Sequence, residues 1–189
     1  MQYQQLKSQW PEFSQAILHF AKRLGLKDLA LVCDHAALRV NDLAVAEALL
    51  TQWQKKGKII SDSIINGRPI YIIALDEPLQ LGDWKIDCVE LPFPGKLYPQ
   101  QGWEHIELVL PGNAQTMAEL ERALESINPD IAALLAANPA IKVKRSAPHV
   151  AGEKVANPTI AFKLNNICIK VHSAGIKTVI EKEMLNKYD

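Results

Sequence analysis

The sequence predicts an α+β fold: two βαβββ modules forming one curved, mostly antiparallel sheet with helices outside, plus an extra N-terminal and a C-terminal helix. Three observations carry this. The order of elements, read from hydrophobic periodicity and turn residues, is the same before and after a Pro/Gly-rich segment. Ionisable residues recur at matching places in the two halves, with Asp34-His35-Ala36-Ala37-Leu38 answered 70 residues later by Glu104-His105-Ile106-Glu107-Leu108. Along those strands the face away from the histidines is the greasier one, which makes sense only if helices cover it.

The elements follow in order. Phe13, Ile17, Phe20, Ala21 and Leu24 recur at helical spacing, with Pro11 as first helical residue and Gly25 after the last, so 11–25 reads as an amphipathic helix. Residues 29–40 read as a strand. Asn41 or Asp42 can cap a second helix whose apolar face is Leu43, Ala46, Leu50 and Trp53, ended by Gly57. Three short apolar runs follow, 58–65, 69–75 and 84–91, separated by Asn66-Gly67 and by Asp76-Glu77-Pro78 with Gly82. Pro92, Pro94, Gly95, Pro99 and Gly102 make 92–102 a linker.

Beyond the linker the order repeats. Residues 103–110 form a strand ending at Pro111-Gly112, and Asn113 can cap a helix through Met117, Leu120 and Leu124. A further helical stretch follows Pro129. A strand at 141–146, a loop at 147–157, and strands at 159–164 and 167–172 come next, the last two joined by Asn165-Asn166, a pair that tolerates positive φ. A last helix runs from 176 to 187 with Ile176, Val179, Ile180 and Met184 on one face. The modules span about 29–91 and 103–173 within one domain, and the helices at 11–25 and 176–187 are expected to pack outside.

Composition narrows the classes of function. The 189 residues carry 21 Lys+Arg against 21 Asp+Glu, which removes the usual electrostatic prompt for nucleic acid or an anionic membrane. Three cysteines without a CxxC pair argue against a disulfide framework or a cysteine zinc site and for a reducing compartment. The polar N-terminus lacks a signal core and no apolar run is long enough to span a membrane, so a soluble cytoplasmic protein is expected.

The chemistry lies at His35, Glu90, His105 and His172. Each pair, His35 with Glu90 and His105 with His172, runs from the first strand of a module to its last. If those strands are neighbours, the four side chains can converge on one divalent ion, and imidazole with carboxylate suits Zn, Fe, Mn, Ni or Co. Strand alternation then turns Ala37, Arg39, Glu107, Cys88, Ile86, Lys170 and Cys168 inward with them. Arg39 and Lys170 are inward cations that could meet an anionic substrate group; alternatively Arg39 pairs with Glu107 or Glu90 and only orders the cleft. Asp34 and Glu104, one residue before the strand histidines, should point the other way as packing or surface carboxylates. His19 reads as a helix-surface residue and His149 as a loop residue. Trp84 and Trp103 read as packing residues.

Paired βαβββ modules with ligands on first and last strands resemble the vicinal oxygen chelate superfamily, which includes glyoxalase I, extradiol dioxygenases and bleomycin-resistance proteins. More closely, Ile65-Asn66-Gly67-Arg68-Pro69, Glu90-Leu91-Pro92 and Gly102-Trp103-Glu104-His105-Ile106-Glu107 resemble the bacterial YecM family across nearly the whole chain. The resemblance implies a glyoxalase-like fold and a divalent metal that binds substrate through oxygens. The superfamily's ligand order matches at His35, Glu90 and His105 and departs at His172, where a carboxylate is usual. A base, if the site has one, then falls to Glu107 or Glu90, with Glu107 the candidate catalytic residue.

Three functions remain open at this point: a metal-dependent enzyme (isomerase, lyase or oxidoreductase) acting on a small oxygenated molecule; a non-catalytic protein that sequesters such a molecule; and an interaction module with a vestigial cleft. Both modules lie on one chain, so a monomer suffices for a complete site. The sequence carries no nucleotide-cofactor fingerprint.

Overall fold

The computed structural model describes residues 1–65, 67–146 and 157–186. Asn66 of the expected turn, the stretch 147–156 with His149, and the expected helix end at 187 lie outside the described residues. The first half contains α1 (Tyr3–Arg23), β1 (Val32–Arg39), α2 (Leu43–Trp53), β2 (Gly57–Ser61), β3 (Ile64–Ile65), β4 (Arg68–Leu81) and β5 (Trp84–Pro92). The second contains β6 (Gly102–Val109), α3 (Met117–Ile127), α4 (Ile131–Ala136), β7 (Lys142–Ser146), β8 (Thr159–Leu164), β9 (Ile167–His172) and α5 (Ile176–Asn186).

The fold is mixed α+β around one open, curved sheet. Its strands run β2-β4-β5-β1-β6-β9-β8-β7, with the short β3 paired to β4 off this path. β1 lies antiparallel to β6 at the centre; each has a parallel neighbour on its other side, β5 and β9, and the remaining pairs are antiparallel. The last strand of each half therefore sits beside its first.

Helices α1 to α4 cover one face. Phe13, Ile17 and Phe20 of α1, together with Leu120, Leu124 and Ile131, bury Ala36, Ile106, Leu108, Ile169 and Val171. Leu6 extends that cover to Leu38, Val89, Leu91 and Trp53. Gly25 closes α1 at φ +67, with its own N–H on the Lys22 carbonyl and the Leu26 N–H on the Ala21 carbonyl.

Several expected boundaries shift. Helix α1 begins at Tyr3 rather than Pro11, because a Gln2/Gln5 capping box and the wholly buried Leu6 support about two turns more, leaving Pro11 inside the helix. Thr116, not Asn113, caps α3 through its own box with Glu119. Gly57 does not end α2 but opens β2, where a Cβ would stand 2.1 Å from the Ala74 carbonyl oxygen. Strand β4 continues through Pro78, because Leu75 to Pro78 bulge opposite the single Asp87. That bulge also turns Ile86 onto the helical face beside Leu81 and Trp84, not inward as strict alternation predicts.

Helix α5 departs most. It does not pack outside but on the imidazole-bearing face, where Ile176 and Ile180 meet Ile70, Ile72 and Cys88. Those β4 isoleucines give this side of the sheet an apolar strip that needs cover.

Candidate metal centre

The centre is built where β1, β6 and β9 run side by side. His35 pairs with Glu107 across β1 and β6, and Glu107 pairs with Lys170 on β9. Ligand atoms of His35, His105 and Glu107 all lie within 4.8 Å of one another. Glu107 is the hub: its Oε1 is 3.2 Å from His105 Nε2 and 3.5 Å from His35 Nε2, and its Oε2 is 3.8 Å from His172 Nε2. Glu90 reaches one nitrogen, His35 Nε2, at 3.8 Å. His35, His105, Glu107 and His172 are all buried.

Each ring is held from behind. His35 Nδ1 lies 3.0 Å from Asp34 Oδ1, His105 Nδ1 is bonded to Glu104 Oε2, and His172 Nδ1 lies 3.1 Å from the Asn157 amide. Asp34 and Glu104 were expected to face away; the structure corrects this. Asp34 is an extra residue on β1, between Cys33 opposite Leu108 and His35 opposite Glu107. Glu104 is an extra residue on β6, between Trp103 opposite Leu38 and His105 opposite Ala37. Such bulges break the two-residue alternation, so an acid and the histidine after it share one face. The signal was present in the sequence as an acid-His dipeptide repeated at matching places, but the parity rule hid it. Asn157 had no sequence signal.

A carboxylate behind Nδ1 fixes the tautomer and leaves the Nε2 lone pair to the centre, the arrangement metal-bound imidazoles use. Here Nε2 of His35 is buried with no hydrogen-bond partner among the described residues; His172 differs, because its Nδ1 accepts from the Asn157 amide and its Nε2 lies 3.4 Å from Asp34 Oδ2. A divalent ion suits this donor set, because it gives lone pairs that face one another a common positive partner. The cluster can thus hold one metal ion through His35, His105 and Glu107.

The electrostatics point the same way. Burial works against charge on every group, and the neighbours overrule it. Burial lowers the His35 pKa, but Asp34 and Glu107 raise it well above the ordinary imidazole value. Burial and Lys170 lower that of His105, and Glu104 with Glu107 brings it above ordinary. Glu104, despite burial, is brought down to about 2 by His105 and Arg39. Lys170 and His35 hold the buried Glu107 well below the usual carboxylate range. The site therefore gathers positive charge, as protons or as a metal.

The two expected substrate cations are both engaged. Lys170 Nζ donates to Glu107 Oε1 at 2.7 Å. Arg39 pairs with Glu104 at 2.9 Å, not with Glu107 or Glu90, and its guanidinium lies over the Tyr98 ring. The cluster forms the floor of a groove of about 640 Å³ bounded by β4, β7, β8 and α5. Cys168 lines it, its thiol pushed up to about 12 by burial, which leaves it a neutral wall residue.

Compared with known protein families, residues 2–183 match the family described as YecM protein. Protein YecM of Escherichia coli (strain K12) is 39% identical over 181 residues, covering 95% of this chain and 93% of that protein. An uncharacterized protein of Haemophilus influenzae (strain ATCC 51907 / DSM 11121 / KW20 / Rd) is 39% identical over 171 residues, covering 87% and 86%. Among solved structures, Protein EC4020 from structural genomics superposes with a TM-score of 0.81 at 37% identity, over 95% of this chain and 92% of its own. None of these three names states an activity or a cofactor.

Proposed function

The chain belongs to the YecM family, and from that premise we propose that it is a divalent-metal protein binding a small oxygenated ligand in the groove above its sheet. One observation carries the reading: buried imidazole nitrogens converge on one carboxylate, each ring held from behind, with the His35 Nε2 unpartnered among the described residues. His35, His105 and Glu107 would hold the ion, with His172 and Glu90 at its edge. An ion there supplies Lewis acidity and orients a ligand through its oxygens. The nitrogen-rich donor set suits Zn, Fe(II), Mn, Ni or Co.

The finer fold reading belongs with this proposal. Each half of the sheet places its first strand parallel to its last, with an antiparallel meander beyond. We read the halves as glyoxalase-like βαβββ modules, and the protein as related to the vicinal oxygen chelate superfamily. Three free, buried cysteines suit a reducing compartment such as the cytoplasm. No helix of the described residues is long and apolar enough to cross a membrane.

If the protein is an enzyme of isomerase, lyase or oxidoreductase type, Glu107 is a poor free base, since Lys170 already binds it. Proton transfer would fall to Glu90, whose side chain is 18% exposed. The same Lys170–Glu107 bond favours a second reading, ligand binding without turnover.

The test is metal content. Purified protein should carry stoichiometric metal by plasma mass spectrometry, and metal-stripped protein should gain melting temperature with one of these five ions. His105→Ala should lose both. Protein with neither metal nor a thermal response sinks the proposal.

A further inference from the structure

Lys170 and Arg39 are consumed by carboxylates inside the cluster, yet the groove holds other cations, and the sheet register aligns them with the centre. On the imidazole-bearing face His105 of β6 stands beside Cys168 of β9, Cys168 beside Lys163 of β8, and Lys163 beside Lys142 of β7. The next row on that face runs from Glu107 through Lys170 and Ala161 to Lys144. With about 4.8 Å between strands, Lys163 lies about 10 Å, and Lys142 and Lys144 about 14 Å, from the β6 ligands, backbone to backbone.

All three lysines are exposed and line the groove, and none makes an ion pair among the described residues. Their neighbour Arg145 is a contrast. It pairs with Glu121 of α3 on the helical face, so among the described residues β7 leaves unpaired the cations over the groove. Lysines on an edge strand deter strand addition, which would account for Lys142 and Lys144. It does not account for Lys163 on β8, an interior strand. The opposite wall differs: the row from Glu90 runs through Ile72 to Ser61, beside the apolar side of α5, and Arg68 on that side donates to the Phe93 carbonyl.

Resting on the metal reading above, we propose that Lys142, Lys144 and Lys163 seat the anionic end of the ligand. Its class is then a metal-chelating molecule that carries a phosphate or carboxylate group about two strand spacings, roughly 10 Å, from its chelating oxygens. Phosphate and carboxylate share this chemistry and are separated by the test.

The experiment uses metal-loaded full-length protein and three probes of one length: hexanohydroxamate, its ω-carboxylate and its ω-phosphonate. Affinities are read by calorimetry on the wild type and on Lys142→Gln/Lys144→Gln/Lys163→Gln. Three exposed ion pairs predict about tenfold tighter binding of an anionic probe than of the neutral one, a gain that shrinks with added salt. In the triple variant, which should keep its metal and its circular dichroism, the gain should vanish while the neutral probe binds as before. Whichever anionic probe gains more names the group. Equal binding of all three probes to the wild type, or a gain that survives the triple substitution, overturns this inference and leaves the metal reading standing. Absence of bound metal at the outset overturns both.

Discussion

Glu107→Gln is the substitution on which the site turns. It keeps shape and removes one charge. Glu107 approaches three imidazole nitrogens, at 3.2, 3.5 and 3.8 Å, whereas Glu90 approaches only one, at 3.8 Å. An ion that sits about 2.1 Å from His35 and His105 nitrogens must lie beside Glu107. Losing an outer partner of a ligand already costs about 10- to 100-fold in affinity, so losing this carboxylate should cost at least about 100-fold, or about 2.7 kcal/mol. Glu90→Gln should cost less than about tenfold on the same scale. The metal-free protein should also weaken, because Lys170 loses its partner. Fully buried pairs cost about 3–5 kcal/mol to break, and with the Lys170 side chain 27% exposed about 2 kcal/mol is expected. Competition with a chromophoric chelator gives the affinities, and urea unfolding with and without metal gives the stabilities. Wild-type affinity in Glu107→Gln together with lost binding in Glu90→Gln would refute the assignment and move the ion to the rim.

Other predictions follow from the same geometry. Glu104→Gln weakens the hold on His105 Nδ1 and frees Arg39, so metal affinity should fall about 10- to 100-fold with the fold intact by circular dichroism; unchanged affinity would mean the bulge has no bearing on the ligand. The pH dependence should invert with metal. In the metal-free protein the raised pKa values of His35 and His105 stabilise the fold below about pH 6.5, and this is lost as pH rises through the folded values. Glu104, at about 2 when folded, contributes above its unfolded value near 4.5 and loses that as pH falls. Melting temperature of stripped protein should therefore drop between pH 6 and 9 relative to metal-loaded protein, whose affinity rises as protons leave; parallel curves would contradict the reading. Finally, Phe20→Ala in the wholly buried seam between α1 and the sheet should cost about 3–5 kcal/mol in urea unfolding.

Much of the architecture is legible in the chain. Apolar spacing marks the helices and alternation marks the strands, because each reflects a local rule of backbone period and side-chain preference. His35 and His105, which the structure brings together with Glu107, stand out in the sequence by the acid that precedes each of them. What alternation cannot supply is register. Asp34 and Glu104 sit on bulges, and Ile86 is turned by another, so strict parity misplaces all three. A bulge is decided by which residue across the strand finds a partner, and for Asp34 and Glu104 that partner lies about 70 residues away in sequence.

The sequence by itself determined the element order, the apolar face that α1 covers, and two members of the candidate metal cluster, His35 and His105, with Glu107 offered only as a base. Only the tertiary structure decided that Glu107, rather than Glu90, approaches all three imidazoles, that Arg39 and Lys170 are engaged by carboxylates, and that α5 folds over the site face. The physical reason is common to all three. Which charge meets which partner depends on distances across strands set by sheet pairing, and Coulomb and hydrogen-bond energies change over one ångström where hydrophobic periodicity does not.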